Sequence, residues 1–385
     1  MRRPGSVNLG VVNAVAKSRW VGSPAWDLCF MFSAIWLSGL LIASGSVASL
    51  PLVAGYLFLG NRLVALAHSW STTYMVLWSP LLAEDRPGRA LRYRLYPLLI
   101  TLLSFGAGFG VAYWPPNFVP GSPVSPIWVL YLGLFWVGHF WHFGNQDFGV
   151  LSVYRARAGQ QGVWDRRADR IGTILLMWII HPVIYLHVLV KSPLRQTVTQ
   201  LLPWLSSVLK VAAPVALVLA GVISLALFGY ELQKANRSPP KLLYYLVTAS
   251  HPFILYFIDA GLFPFYVVAY LWSHWLIAIG LVARINTNHY RQGGAAGTTA
   301  VIRHLALLLA IALSVGALTY PHDLLNLFSR EDYRGTLSRI PSDKRGWAGL
   351  LLGFFLAEQL VHYYCDRVLF RFRDPFVRKM VAPLL

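Results

Sequence analysis

The sequence predicts an all-α, polytopic integral membrane protein: a helical bundle of about ten transmembrane helices with both termini in the cytoplasm. Of the 385 residues, 56% are hydrophobic and only 12% are charged, whereas soluble proteins carry about 25% charged residues. The chain is also divided into apolar runs of roughly 20 residues, which is the length that a helix needs to cross a bilayer. Basic residues are concentrated in alternate connections between these runs.

Ten apolar runs follow one another along the chain, and each is a candidate membrane span. We expect them to form one transmembrane domain, residues 26–369, between a cytoplasmic or interfacial N-terminal arm, 1–25, and a basic cytoplasmic tail, 370–385. The candidate spans are Trp26–Ser46, Leu50–Trp78, Leu95–Trp114, Ile127–Leu151, Ile171–Val190, Val208–Tyr230, Lys241–Phe257, Phe265–Val282, Ala300–Tyr320 and Trp347–Leu369.

The distribution of lysine and arginine predicts the orientation of the bundle. On this topology 24 of the 33 basic residues fall in the termini and loops of one side, eight fall on the other side, and Arg62 lies inside a span. Cytoplasmic loops of membrane proteins carry such an excess. The net charge of +18 is therefore interpreted as a topology signal, and nucleic acid is excluded as a partner. A multi-pass protein of the inner (plasma) membrane, surrounded by lipid, is expected.

The two cysteines exclude one class of site. Cys29 and Cys365 lie in different candidate spans, so neither a disulfide framework nor a CxxC thiolate metal site is expected.

The stretch Trp136–Tyr154 combines an apolar composition with ionisable side chains, namely His139, His142 and Asp147. Such groups are costly inside a membrane and normally face the bundle interior or a cavity. Because His139 and His142 are three residues apart, they share one face of a helix. The stretch therefore predicts a buried metal or proton-handling site.

Histidines at similar predicted depth occur on other spans, and this favours a metal site. Imidazole nitrogen suits iron, copper and zinc, and nearby carboxylates orient imidazoles or complete a ligand set. On the last span, Glu358, His362 and Asp366 are spaced by four and share one face. The candidate metal ligands are His68, His142, His274 and His362. The candidate catalytic residues are His139, as a fifth ligand or an acid/base group, and Asp147, Glu358 and Asp366, which would orient imidazoles or handle protons.

Other polar residues in the spans have a simpler interpretation. A lone membrane histidine such as His181 or His251 commonly bonds a neighbouring hydroxyl or carbonyl group. Arg62 could pair with Glu358 or Asp366 and join two helices.

The spacing of His142 and Asp147 predicts an irregularity in their helix. Five residues at about 100° each leave the two side chains about 140° apart, so one regular helix cannot direct both at one metal. We expect either a distortion at Gly144, since glycine is weak in a helix, or a separate partner for Asp147, such as an arginine.

The segment His142–Phe148, HFGNQDF, resembles the HFGxxDF element of the Brp/Blh family of membrane β-carotene 15,15′-dioxygenases. By order along the chain, other histidine elements of that family would fall near His68, His274 and His362. The chain departs from the family at the paired-histidine element, where Ala278 replaces the second histidine. The resemblance implies a polytopic fold, iron held by histidines from several spans, and a reaction with O₂.

These observations together predict a membrane metalloenzyme that is iron-dependent, with copper and zinc as open alternatives. Its expected substrate is a hydrophobic lipid or isoprenoid molecule that enters from the bilayer. Two alternatives remain: a proton-coupled transporter, because buried His, Asp and Glu also form proton relays, and a haem- or quinone-binding membrane protein. The sequence does not indicate an oligomeric state.

Overall fold

The computed structural model describes residues 19–45, 51–114, 126–191, 204–258, 262–291 and 342–385. In these ranges every regular element is a helix and no strand is present, as the composition predicted. Among the described residues, three helices are long and apolar enough to cross a membrane, judged by length and composition: Leu91–Tyr113, Val163–Val188 and Leu205–Leu232.

Most of the helices overlap the predicted apolar spans. The predicted span Ala300–Tyr320 lies outside the described residues. In chain order they are α1 (Pro24–Phe30), α2 (Ser33–Gly45), α3 (Pro51–Leu77), α4 (Tyr96–Tyr113), α5 (Pro126–Arg157), α6 (Val163–Thr173), α7 (His181–Lys191), α8 (Leu205–Leu232), α9 (Pro239–Phe257), α10 (Phe263–Arg291), α11 (Arg345–Leu369) and α12 (Pro375–Val381). The π-helical segment Leu91–Leu95 leads directly into α4. A second π-helical segment, Ile174–Ile180, joins α6 to α7 in one continuous helix.

The prediction of one helix over Trp26–Ser46 is wrong, because the chain breaks between α1 and α2. Asp27 in α1 is fully buried. It accepts hydrogen bonds from the backbone N–H of Val21 and Gly22, each at 2.9 Å, and from the Tyr154 hydroxyl at 2.8 Å. At the break, the Ser33 hydroxyl donates to the Phe30 carbonyl at 2.9 Å, a local bond that competes with regular helix geometry.

Glycines set the position of α11 by letting it approach α4 closely. A Cβ atom on Gly108 of α4 would meet the backbone of Gly353 in α11, and a Cβ on Gly353 would lie 2.7 Å from the Phe105 Cα. Small residues at such crossings allow helix backbones to pack tightly in a membrane. This packing holds the helix that carries His362 and Asp366.

A buried ion cluster joins α6, α8 and α9. Lys241 at the start of α9 is fully buried. Its Nζ lies 2.9 Å from the Asp169 Oδ1 and 3.1 Å from the Glu231 Oε2, and it also donates to the Gln160 side chain at 3.1 Å. Because each of these charges has a partner, the cluster holds the ends of three helices together.

The C-terminal tail packs against the bundle. Asp374 accepts two backbone N–H bonds at the start of α12 and pairs with Arg89 and Arg92, the latter at 2.6 Å. Val377 and Val381 of α12 are fully buried in the largest apolar cluster. The basic tail predicted for residues 370–385 is therefore attached to the helices at one end of the bundle.

Candidate metal centre

Three helices bring together four buried side chains that could hold one metal ion. His68 comes from α3, His142 from α5, and His362 and Asp366 from α11. Each side chain offers one ligand atom, a ring nitrogen or a carboxylate oxygen, and these four atoms all lie within 4.8 Å of one another. The group contains three of the four predicted ligands, and Asp366 joins them as a fourth possible ligand.

The side chains of this group converge from different directions. The ring centroids of His68 and His362 are 4.1 Å apart, and those of His142 and His362 are 4.9 Å apart. One carboxylate oxygen of Asp366 lies 3.6 Å from the His142 Nε2, and the other lies 3.6 Å from the His362 Nδ1. The spacing of four residues places His362 and Asp366 on one face of α11, as predicted.

Several polar atoms of the group are buried without a hydrogen-bond partner among the described residues. They are both ring nitrogens of His68, the His362 Nε2 and both carboxylate oxygens of Asp366. Leaving such a group unpaired costs about 1–3 kcal/mol, and buried polar groups in proteins normally have partners. A metal ion would use these lone pairs, so the residues fit a bound metal. Imidazole and carboxylate ligands suit iron and zinc.

His274 of α10 lies beside this group. Its Nε2 is 2.9 Å from the His142 Nε2, and its ring centroid is 5.2 Å from that of His68. Two imidazole nitrogens on one metal, with bonds of roughly 2.0–2.1 Å, lie about 3 Å apart. The spacing therefore suits a shared ion as well as a hydrogen bond. The Gln146 side chain donates to the His274 carbonyl at 2.7 Å and links α5 to α10.

Neighbouring side chains hold these imidazoles in place, and two of them, Thr72 and Tyr363, were missed by the sequence reasoning. The Thr72 Oγ1 lies 2.8 Å from the His362 Nδ1. The Tyr363 ring stacks on His142 at a centroid distance of 4.4 Å, and the Phe143 ring stacks on His274 at 3.6 Å. Thr72 follows His68 by four residues, and that spacing could have placed it on the same helix face.

Three of the four predicted catalytic residues, His139, Asp147 and Glu358, lie outside the four-residue group. The His139 Nδ1 is 3.2 Å from the Tyr363 hydroxyl, and its ring packs against Phe143 at 4.0 Å. Glu358 accepts a hydrogen bond from the Gln359 side chain at 3.3 Å. Tyr363 thus contacts both His139 and His142.

The expected distortion at Gly144 is wrong, because α5 is a continuous α-helix from Pro126 to Arg157. Gly144 has a packing role instead: a Cβ there would collide with the indole of Trp178. Asp147 accordingly has a separate partner and accepts a hydrogen bond of 2.5 Å from the Tyr244 hydroxyl. A separate partner for Asp147 was the second alternative that the sequence offered, but this partner is the Tyr244 phenol and not an arginine.

A second polar cluster surrounds Tyr270. The His251 Nδ1 lies 2.8 Å from the Tyr266 hydroxyl, which agrees with a histidine bonded to a neighbour. His181 stacks on Tyr270 at a centroid distance of 4.8 Å, and neither of its ring nitrogens has a partner among the described residues. The Arg62 side chain, suggested as a partner of Glu358 or Asp366, lies outside the described part of the structure.

Comparisons with family models, curated proteins and solved structures find no match to this chain.

Proposed function

We propose that this chain is a ten-span protein of the inner membrane with both termini in the cytoplasm. The division of basic residues, 24 on one side and eight on the other, supports the orientation. The three helices with spanning length and composition support a place in the membrane. So does the outer face of α8, where Val211, Val218 and Leu225 are 71%, 67% and 74% exposed. A soluble protein rarely exposes such a continuous apolar surface, whereas lipid would cover it.

Reporter fusions test this topology. Fusions after Arg92, Arg166 and Lys234 should report the cytoplasm, and fusions at Pro120 and Ser338 should report the opposite side. A cytoplasmic signal at Pro120 would contradict the ten-span arrangement.

Inside the bundle, the cluster of His68, His142, His362 and Asp366 binds a catalytic metal ion, which we propose to be iron. The observation that carries this proposal is the set of buried nitrogen and oxygen atoms with unused lone pairs at one point. Histidines with one carboxylate are the ligand type of non-haem iron oxygenases, which keep coordination positions open. The resemblance of His142–Phe148 to the Brp/Blh element supports iron as well.

The reaction that this centre supports best is an oxygenation of a hydrophobic lipid or isoprenoid substrate that enters from the bilayer. When bound, iron supplies the activation of O₂. The chain provides a buried site: Phe143 and Tyr363 wall off the imidazoles, and Thr72 holds the His362 ring. The His139–Tyr363 pair can hold or pass a proton beside the centre.

The geometry disfavours the haem alternative. A haem needs a planar slot beside its axial ligand, since the macrocycle occupies the plane around its iron. Here four ligand atoms lie within 4.8 Å of one another, and the rings of His68, His142 and His362 pack at centroid distances of 4.1–6.0 Å. These side chains fill the space that the macrocycle would need.

The proposed reaction is tested by growing cells that express the protein under ¹⁸O₂ and comparing their lipid extracts. The wild type should incorporate ¹⁸O into a hydrophobic molecule, and His68→Ala should not. His187→Ala is the matched control, because His187 is a buried histidine that stacks on Tyr256 and does not belong to the four-residue group. No ¹⁸O-labelled lipid from iron-loaded wild type would contradict an oxygenase, and metal-free protein that moves a solute across vesicles would favour the transporter.

A further inference from the structure

A small cavity lies beside the metal centre and is lined by polar groups that the proposed chemistry does not use. It has a volume of about 20 Å³ and is formed by α5, α9, α10 and the break between α1 and α2. His274 forms part of its wall and connects it to the centre through the contact with His142. Met31 and Ile277 provide an apolar part of the wall.

Three groups in the wall have unused hydrogen-bonding capacity. The Tyr270 hydroxyl is buried and has no partner among the described residues. Thr248 is 7% exposed, and no described residue bonds its hydroxyl. Asp147 accepts one hydrogen bond, from Tyr244, although a carboxylate offers about four lone-pair sites. A single oxygen atom placed among these groups could accept from Tyr270 and Thr248 and donate to Asp147.

The size of the cavity limits what it can hold. A cavity of roughly 10–15 Å³ accommodates about one water molecule. This cavity, at about 20 Å³, therefore has room for one oxygen-sized group. A phosphate or sugar headgroup does not fit. Water can fill the cavity in the absence of substrate, and a substrate hydroxyl that displaces it would reproduce its hydrogen bonds without loss.

We infer that this cavity binds the hydroxyl group of an otherwise apolar substrate, and that Asp147, Thr248 and Tyr270 select for it. The inference rests on the proposed function and deepens it, because it identifies the substrate class as a long-chain or isoprenoid alcohol and not a hydrocarbon. A site built to bond a hydroxyl discriminates strongly against an analogue that lacks it, because its own polar groups are then left unpaired.

Photoaffinity labelling tests this inference with two matched probes. One is a long-chain alcohol that carries a diazirine near its hydroxyl, and the other is the hydrocarbon with the same diazirine and no hydroxyl. Each is photolysed with purified full-length protein in nanodiscs, and labelled peptides from α9 and α10 are quantified by mass spectrometry. We expect the alcohol to label these peptides at least about 10-fold more than the hydrocarbon.

Two variants connect the selectivity to the cavity. Thr248→Val, which keeps the shape of the side chain, should lower labelling by the alcohol about 10-fold, as expected for one lost hydrogen bond, and leave labelling by the hydrocarbon unchanged. Thr101→Val is the matched control, because the Thr101 hydroxyl bonds the Pro97 carbonyl of its own helix. Equal labelling by both probes, or equal effects of the two variants, would overturn the inference.

Measuring the iron content of the same samples distinguishes a failure of the hydroxyl site from a failure of the proposed function. Selective labelling of a protein that binds no metal would support the hydroxyl site and refute the metalloenzyme. Unselective labelling of an iron-loaded protein would refute the hydroxyl site and leave the metalloenzyme standing.

Discussion

The Nε2 atoms of His142 and His274 lie 2.9 Å apart, although the two residues are separated by 132 positions in the chain. A neutral imidazole has one donor and one acceptor nitrogen. At this distance the two atoms must share a single proton or face one metal ion, because two N–H groups would repel each other. The contact ties α5 to α10 at the centre, so the chemistry of the site and the packing of these helices depend on each other.

Asp366 is expected to be essential for metal binding. Its two carboxylate oxygens lie 3.6 Å from nitrogens of His142 and His362 and have no hydrogen-bond partner among the described residues. Asp366→Asn should lower metal affinity by at least about 10–100-fold, the usual cost of losing a group that orients a ligand. Metal titration of the purified variant measures this. Glu358→Gln, two turns earlier on α11 and outside the group, is the control, and an equal loss in both variants would contradict a specific role for Asp366.

Thr72 is expected to act as a positioning residue through His362. Its hydroxyl lies 2.8 Å from the His362 Nδ1, and this contact fixes which ring nitrogen faces the metal. Thr72→Val should lower metal affinity about 10-fold and change the ligand-field spectrum of a cobalt-substituted protein, and Thr72→Ser should restore both. Thr73→Val is the control, because the Thr73 hydroxyl bonds the Ser69 carbonyl of its own helix. Failure of serine to restore the spectrum would mean that Thr72 only packs.

The Lys241 cluster is expected to stabilise the fold without affecting the metal centre. Removing Lys241 takes one of two basic partners from Asp169 and from Glu231. The two carboxylates keep their ion pairs with Arg155 and Lys234, so the expected cost is about 1.5–3 kcal/mol, that of a lost hydrogen bond to a charged group. Lys241→Met should therefore lower the free energy of unfolding by this amount. Lys210→Met, at an exposed position of α8, is the matched control. A Lys241→Met protein as stable as the control would show that the cluster contributes no net stability.

The attachment of the C-terminal tail is expected to weaken in acid. Burial raises the pKa of the Asp374 carboxyl, but hydrogen bonds from Arg89 and Arg92 outweigh this effect and lower the pKa to about 2. An unfolded aspartate has a pKa of about 3.9. Because the folded pKa is the lower of the two, the contribution to stability is complete above about pH 4 and is lost as the pH falls through 2.

Thermal unfolding of wild type and Asp374→Asn checks this pH dependence. The difference between their midpoints should be largest near pH 5 and should shrink towards pH 2. Asp343→Asn, which changes an exposed carboxyl, should show no such trend. A midpoint difference for Asp374→Asn that is constant over this range would contradict the assigned role.

The sequence predicted the helices well because apolar runs of membrane length are a strong local signal. The boundaries of α3, α8, α9 and α11 lie within three residues of the predicted spans. The convergence of His68, His142, His274 and His362 was also predicted, because ionisable groups at similar depth must face the interior of the bundle.

The features that the sequence did not predict depend on contacts between distant segments. Gly144 suggested a kink, but the nearby Trp178 indole explains the glycine within a regular helix. The break between α1 and α2 accompanies the burial of Asp27 against Tyr154. Residue spacing along one helix contains no information about such partners, so tertiary contacts decided both positions.

The most direct test of the metal centre is elemental analysis of the purified wild type beside His142→Ala and His139→Ala. Both histidines lie on α5, but only His142 belongs to the four-residue group. The wild type should contain stoichiometric iron, His142→Ala should lose it while still inserting into the membrane, and His139→Ala should retain most of it. Full metal occupancy and activity in His142→Ala would contradict the central claim.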